Sequence, residues 1–306
     1  MRERKIAVKT GFADLDRRID GLHGSDLTII GGSPSMGKTA LALSIVANVS
    51  CARKPKAVLL FSTETKKEAI MERLIAAEAG VSLQQVRSGM FPKRKWPALT
   101  RAAALMSQSP LFLADTPKAP TIGQVTGLAS QLAEELKAKG QELGLIVIDH
   151  LQLLRTSSTR SGNRHQDISK ISIGLKLLAR DSNIPVLALS QLSLRPTAED
   201  GGDTRPTLSD LRAKDLERNA DVVMFIYRKS YFNPNDPTID DNAAEIIVAK
   251  NPRGKTGIAK MRFVRDFARF YAQSGSPIER ADLSTGSSRR WAKWKTKLVK
   301  RGSEVN

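Results

Sequence analysis

Residues 28–43, TIIGGSPSMGKTALAL, limit the fold of this chain more than any other stretch. Leu27 to Ile30 reads as a short apolar strand and the segment from Thr39 as an apolar helix, so the glycines between them must carry a strand-to-helix turn. Gly32-Ser33-Pro34-Ser35-Met36-Gly37-Lys38-Thr39 matches G-x-x-x-x-G-K-[ST] in full, in the strand and helix context that a phosphate-binding loop requires. Glycines let backbone N–H groups turn inward around phosphates, and the helix N-terminus adds positive potential. On this reading residues Gly32 to Ala40 hold ATP. Lys38 reaches the terminal phosphates and Thr39 ligates Mg²⁺.

The rest of the chain repeats the same alternation. Apolar runs at Asp26 to Ile30, Ala57 to Ser62, Leu111 to Ala114, Gly144 to Asp149, Pro185 to Ser190, Asp221 to Tyr227 and Glu245 to Lys250 read as strands. Helical patterns fall between them at Lys66 to Ala79, Lys95 to Met106, Ile122 to Lys139 and Gln166 to Asp181. Ile258 to Val264 and Arg269 to Ala272 read as a C-terminal edge hairpin. The predicted fold class is α/β: a P-loop core with a largely parallel central sheet flanked by helices. Two long polar connections, RTSSTRSGNRHQ and SLRPTAEDGGDTRP, leave the carboxyl ends of strands, where ligands bind in open α/β sheets.

Polar residues at other strand ends complete a candidate site. LIVIDH places Asp149 where it can hold Mg²⁺ or its water. LLFSTET offers Glu64, just past the second strand, to orient or deprotonate an attacking water. VLALSQL ends in Ser190 and Gln191, within reach of a γ-phosphate. The basic turn of EIIVAKNPRGKTG carries Lys250 and Arg253, which in a ring of subunits would neutralise charge at a neighbour's nucleotide.

Charge points to the partner. Forty-nine Lys and Arg against 31 Asp and Glu give a formal +18, an excess that favours polyanions. It is concentrated in RRWAKWKTKLVKR, residues 289–301, where seven basic residues and no acid surround Trp291 and Trp294. No apolar run approaches a membrane span and no apolar signal core follows Met1, so a cytoplasmic protein without a membrane partner is expected. One cysteine, Cys51, and three dispersed histidines give no disulfide and no metal-ligand cluster.

The order of these motifs resembles the C-terminal, RecA-like motor domain of DnaB-type replicative DNA helicases over about residues 10–272. TGFADLDRRIDGLHGSDLTIIGGSPSMGKTALAL, FSTET, VRSGMFPKRKW, ADTP, LIVIDHLQLL, NRHQDISKISIGLKLLAR, PVLALSQL, RPTLSDLR and ADVVMFIYR carry the resemblance. It implies that Lys38, Thr39 and Asp149 bind Mg-ATP, that Glu64 activates water, and that Gln191 senses phosphate. It also implies that Lys250 and the nearby arginine act on the adjacent subunit's ATP in a homo-oligomeric ring, expected to be a hexamer. The loops after Asp149 and Gln191 would face single-stranded DNA, with Arg195 and Arg205 as backbone contacts.

The resemblance divides the chain into a motor domain, residues 1–272, and a basic tail, residues 273–306. Three features depart from the family. Lys250-Asn-Pro252-Arg253-Gly254 has proline where the family's Lys-x-Arg-x-Gly has arginine, with Arg253 one position later. RAKDLERNAD lacks the Gly and Ser that follow SDLR. Few residues precede TGFADLD, leaving no room for the family's N-terminal helical domain, so either an excised motor domain or a naturally short member is expected, the start at Met1 and the basic tail favouring the second. Such a chain would unwind DNA itself or, as the alternative, act as an ATP-binding accessory of a full-length helicase, with a helicase loader as a further candidate partner.

Overall fold

A computed structural model describes residues 7–115, 119–156, 164–192, 205–211 and 213–273. Arg195 and the basic tail beyond Gln273 lie outside these residues. Among the described residues, nine strands form one sheet: β1 (Leu27–Gly32), β2 (Ala57–Ser62), β3 (Leu111–Asp115), β4 (Leu143–Asp149), β5 (Val186–Gln191), β6 (Val222–Tyr227), β7 (Ala243–Lys250), β8 (Gly257–Val264) and β9 (Arg269–Ala272). Their spatial order is β3-β2-β4-β5-β1-β6-β7-β8-β9. The first six are parallel, and β7, β8 and β9 continue antiparallel. Every residue of β1, β2, β4 and β6 is buried, as expected of parallel strands covered on both faces.

The helices are α1 (Ala13–Ile19), α2 (Lys38–Ser50), α3 (Lys67–Ala79), α4 (Leu83–Ser88), α5 (Trp96–Gln108), α6 (Ile122–Lys137), α7 (Arg164–Ser182), α8 (Lys214–Asn219) and α9 (Lys229–Phe232). Two apolar cores form, one on each face of the sheet. Alternate residues of one strand divide between them: Ile30 joins the first and Ile29 the second. The predicted strands and the four longest predicted helices are present, with ends shifted by one or two residues. α1, α4, α8 and α9 are additions to that reading.

Helix α2 is buried from Ala40 to Ser50. The sheet covers one side and the β8–β9 hairpin reaches over the other, where the Phe270 N–H donates to the Ser44 hydroxyl at 3.2 Å. Phe263 and Phe270 meet with ring centroids 4.8 Å apart. α1 is fixed to the chain before it, because the Asp16 carboxylate accepts the N–H groups of Thr10 and Gly11 and the Thr10 hydroxyl. Burial outweighs those bonds and pushes the Asp16 carboxyl above its ordinary 3.8.

Candidate active site

The glycine loop leaves β1 and enters α2 at Gly37, whose φ of 101° is in the left-handed region. A Cβ there would lie 3.1 Å from the Phe270 ring, so the aromatic pair floors the loop and both shape and space call for glycine. Gly31 answers a second close approach: a Cβ on it would sit 2.7 Å from the Phe225 ring. The Lys38 ammonium lies across the loop and donates to the carbonyls of Gly32 and Ser33 at 2.8 and 2.9 Å. A positive group is thereby held where the loop turns.

Strand register brings the other residues to this edge. Gly32 is opposite Gln191, and Ser62 is opposite Asp149. Asp149 is buried and accepts a hydrogen bond from the Thr39 hydroxyl. Desolvation raises its pKa above the ordinary carboxylate value, and Glu64 adds to that rise, while Thr39, His150 and Lys38 oppose it. The peptide bond from Asp149 to His150 is cis. A buried carboxylate facing a hydroxyl beside a lysine is a hard-oxygen donor set that fits Mg²⁺, and the glycine loop above it fits phosphate.

Glu64 lies at the tip of a braced turn. The Thr63 N–H and hydroxyl both donate to the Asp149 carbonyl, and the Ser62 hydroxyl donates to the Thr65 carbonyl at 2.7 Å. The Glu64 side chain is 70% exposed and its carboxylate is 3.5 Å from Nδ1 of His150. It therefore meets solvent beside the buried Asp149.

Gln191 is held by a residue that sequence reading overlooked. Gln152 follows β4 and is buried, and its amide donates to the Ser190 hydroxyl at 2.9 Å and to the Gln191 carbonyl at 3.1 Å. Its side-chain oxygen accepts the Gln191 N–H at 3.2 Å. The β4–β5 pairing runs from Ile146 to Ile148. Beyond it, this side chain gives the backbone of Gln191, three residues past the last paired residue Ala188, a donor and an acceptor in place of a β4 partner. The available signal was a lone amide among the leucines of DHLQLL.

Arg228 was also missed. It is buried at the end of β6, its Nε lacks a hydrogen-bond partner among the described residues, and its guanidinium carbon is 4.5 Å from the centroid of Phe263. Burial and the nearby Arg265 lower its pKa from the usual arginine value. The aromatic floor of the loop therefore has a positive charge against its Phe263 ring.

The predicted basic contacts have partners within the chain. Arg205, expected to grip DNA, forms a two-pronged pair with Glu245 at 2.8 and 3.0 Å and lies over Tyr227. Its fork is thereby committed to β7. Lys250, expected to reach a neighbour, donates to the carbonyls of Glu217 and Ala220, both at 2.7 Å, and closes the C-terminal end of α8. Arg253 binds Asp26 with Nε at 2.9 Å and Nη2 at 2.8 Å. Asp26 precedes β1, so this pair is at the end of the strands opposite the glycine loop.

Residues 7–272 match the family described as DnaB-like helicase C terminal domain. The chain is similar to the replicative DNA helicase DnaB of Geobacillus stearothermophilus, 37% identical over 264 residues covering 86% of this chain and 56% of that protein. The replicative DNA helicase DnaC of Bacillus subtilis (strain 168) matches with the same identity and coverage. The chain thus spans little more than half the length of these relatives. Among solved structures, one described as an ATPase domain matches with a TM-score of 0.80 and 31% identity, over 89% of this chain and 94% of that one. A DnaB-like replicative helicase described with its interactions with primase matches with a TM-score of 0.80 and 32% identity, over 88% of this chain and 62% of that one.

Proposed function

The chain belongs to the DnaB-like helicase C-terminal domain family, and from that membership we propose that it is an ATP-dependent motor that moves on single-stranded DNA and separates duplex during replication. The observation that carries this reading is the meeting of Lys38, Thr39, Glu64, Asp149 and Gln191 at one edge of the parallel strands. When bound, Mg²⁺ would screen the phosphate charge, with Thr39 and Asp149 as its protein ligands. The backbone of Gly32 to Ala40 holds the phosphates. Lys38 exchanges its two carbonyl partners for phosphate oxygens.

Glu64 orients the attacking water and takes its proton, a role supported by its exposed carboxylate next to Asp149 and His150. Gln191 reports the loss of the terminal phosphate along β5. Arg253 serves the ATP of an adjacent protomer in a ring of identical chains, and Lys250 fixes the turn on which it stands. The net charge of +18 supports a polyanionic track, and the expected setting is the cytoplasm. No helix among the described residues is long and apolar enough to cross a membrane.

The test is ATP hydrolysis measured against protein concentration, with and without single-stranded DNA, for the wild type and Glu64→Gln. Turnover that rises cooperatively with concentration, is stimulated by DNA and disappears in the variant is expected. Binding of ATP without turnover at any concentration would defeat the motor reading.

A further inference from the structure

We infer that Asp26 is the positioning residue for Arg253, fixing its guanidinium before a neighbouring protomer arrives; this rests on the proposed action of Arg253 in trans. Asp26 and the glycine loop lie at opposite ends of β1, about 20 Å apart for a six-residue strand. Arg253 therefore cannot serve its own chain's loop. Whatever nucleotide it meets belongs to another protomer.

The Asp26 side chain is 4% exposed, whereas that of Arg253 is 43% exposed. One edge of the guanidinium, Nε and Nη2, is committed to the buried carboxylate. Because the group is planar, the remaining N–H groups on Nη1 and the outer side of Nη2 have a set direction. Swinging the arginine away would strand a buried charge, which is strongly unfavourable. The finger is anchored, and a neighbour's phosphate must come to it.

The turn beneath it is held as well. Asn251 donates from its amide to the Arg18 carbonyl at 2.9 Å, and its side-chain oxygen accepts the Arg253 N–H at 3.1 Å. A Cβ on Gly254 would come within 2.8 Å of the same Arg18 carbonyl, so the turn lies flush against the end of α1. Pro252 restricts the backbone between Asn251 and Arg253. Proline at the position where the family pattern has arginine thus coincides with a carboxylate anchor for the arginine one residue later.

Subunit mixing tests this. Asp26→Asn and Glu64→Gln are each assayed alone, then assembled together in equal amounts. Asp26→Asn alone is expected to lower kcat by about tenfold or more while KM for ATP stays within about twofold, as for a transition-state contact. In the mixture, an interface joining Glu64 of one variant to Arg253 of the other is complete, and about a quarter of wild-type turnover should return if protomers assemble at random around a ring. A purely structural role for Asp26 would disable its own protomer, and mixing would restore nothing.

Should Asp26→Asn fail to fold, Asp26→Glu keeps the ion pair but displaces the guanidinium, and is expected to show the same kcat loss and the same recovery on mixing. Unchanged kcat, or no recovery with either variant in an otherwise active protein, overturns the inference alone. A wild-type chain without turnover, or a fully active Glu64→Gln, overturns the underlying reading and the inference with it.

Discussion

Replacing Gln152 with leucine tests whether a side chain is acting as backbone at the site. The change keeps most of the volume and removes three hydrogen bonds, at 2.9, 3.1 and 3.2 Å. Each contributes about 0.5–1.5 kcal/mol net, and a buried peptide group left without a partner costs about 1–3 kcal/mol. The expected loss is about 3 kcal/mol, a substantial part of the roughly 5–15 kcal/mol by which a domain is stable. With a urea m-value of about 3 kcal/mol/M, the unfolding midpoint falls by about 1 M. Ser190→Ala removes only the 2.9 Å bond and should cost about 1 kcal/mol. Equilibrium urea unfolding followed by circular dichroism measures both. A loss under about 1 kcal/mol for Gln152→Leu would refute the reasoning, because it would mean that β5 holds Gln191 without this bridge.

Lys38→Ala should weaken both nucleotide binding and turnover, whereas Glu64→Gln should lose turnover alone; a fluorescent nucleotide titration beside the hydrolysis assay separates the two. Phe270→Ala removes a buried ring from beneath Gly37 and is expected to cost about 3–5 kcal/mol, with weaker nucleotide binding in the same titration. Arg205→Ala should leave the log–log salt slope of single-stranded DNA binding unchanged, since its fork is occupied by Glu245; a slope lower by about one unit would return it to the DNA-contact role. Asp16 sets a pH dependence. Its folded pKa lies above 3.8, so the native state holds more protons than the unfolded state between those values, and stability falls as pH rises through that window. Asp16→Asn should remove that fall, as read from urea midpoints across acid pH, and a steeper fall in the variant would contradict the assignment.

The parallel strands were legible because each is a short apolar run, and the polar residue that ends it marks the ligand edge. This brought Asp149, Glu64 and Gln191 into view beside the glycine loop, since a strand end is a local feature. The helices α4, α8 and α9 were not legible: with six, six and four residues they are too short to display a helical period. Burial on all sides likewise leaves α2 without a polar stripe, although the apolar run itself was recognised. The partners of the basic residues were not legible, for a different reason. Arg205, Lys250 and Arg253 look available in sequence because their partners lie far away, at Glu245, at Glu217 and Ala220, and at Asp26. Gln152 was hidden in the same way, its partners being 38 and 39 residues downstream.

The aromatic floor of the glycine loop also sets an order of events during synthesis. Ser44, nearly two turns into the helix that begins at the loop, waits for a bond from Phe270, 226 residues later in the chain. At about 5–20 residues per second, the ribosome needs roughly 10–45 s to deliver that strand. Until then the loop has its lysine and its helix but no surface to rest on. A nascent chain therefore carries the whole phosphate-binding sequence early, and the loop gains its finished seat only when β9 closes over α2.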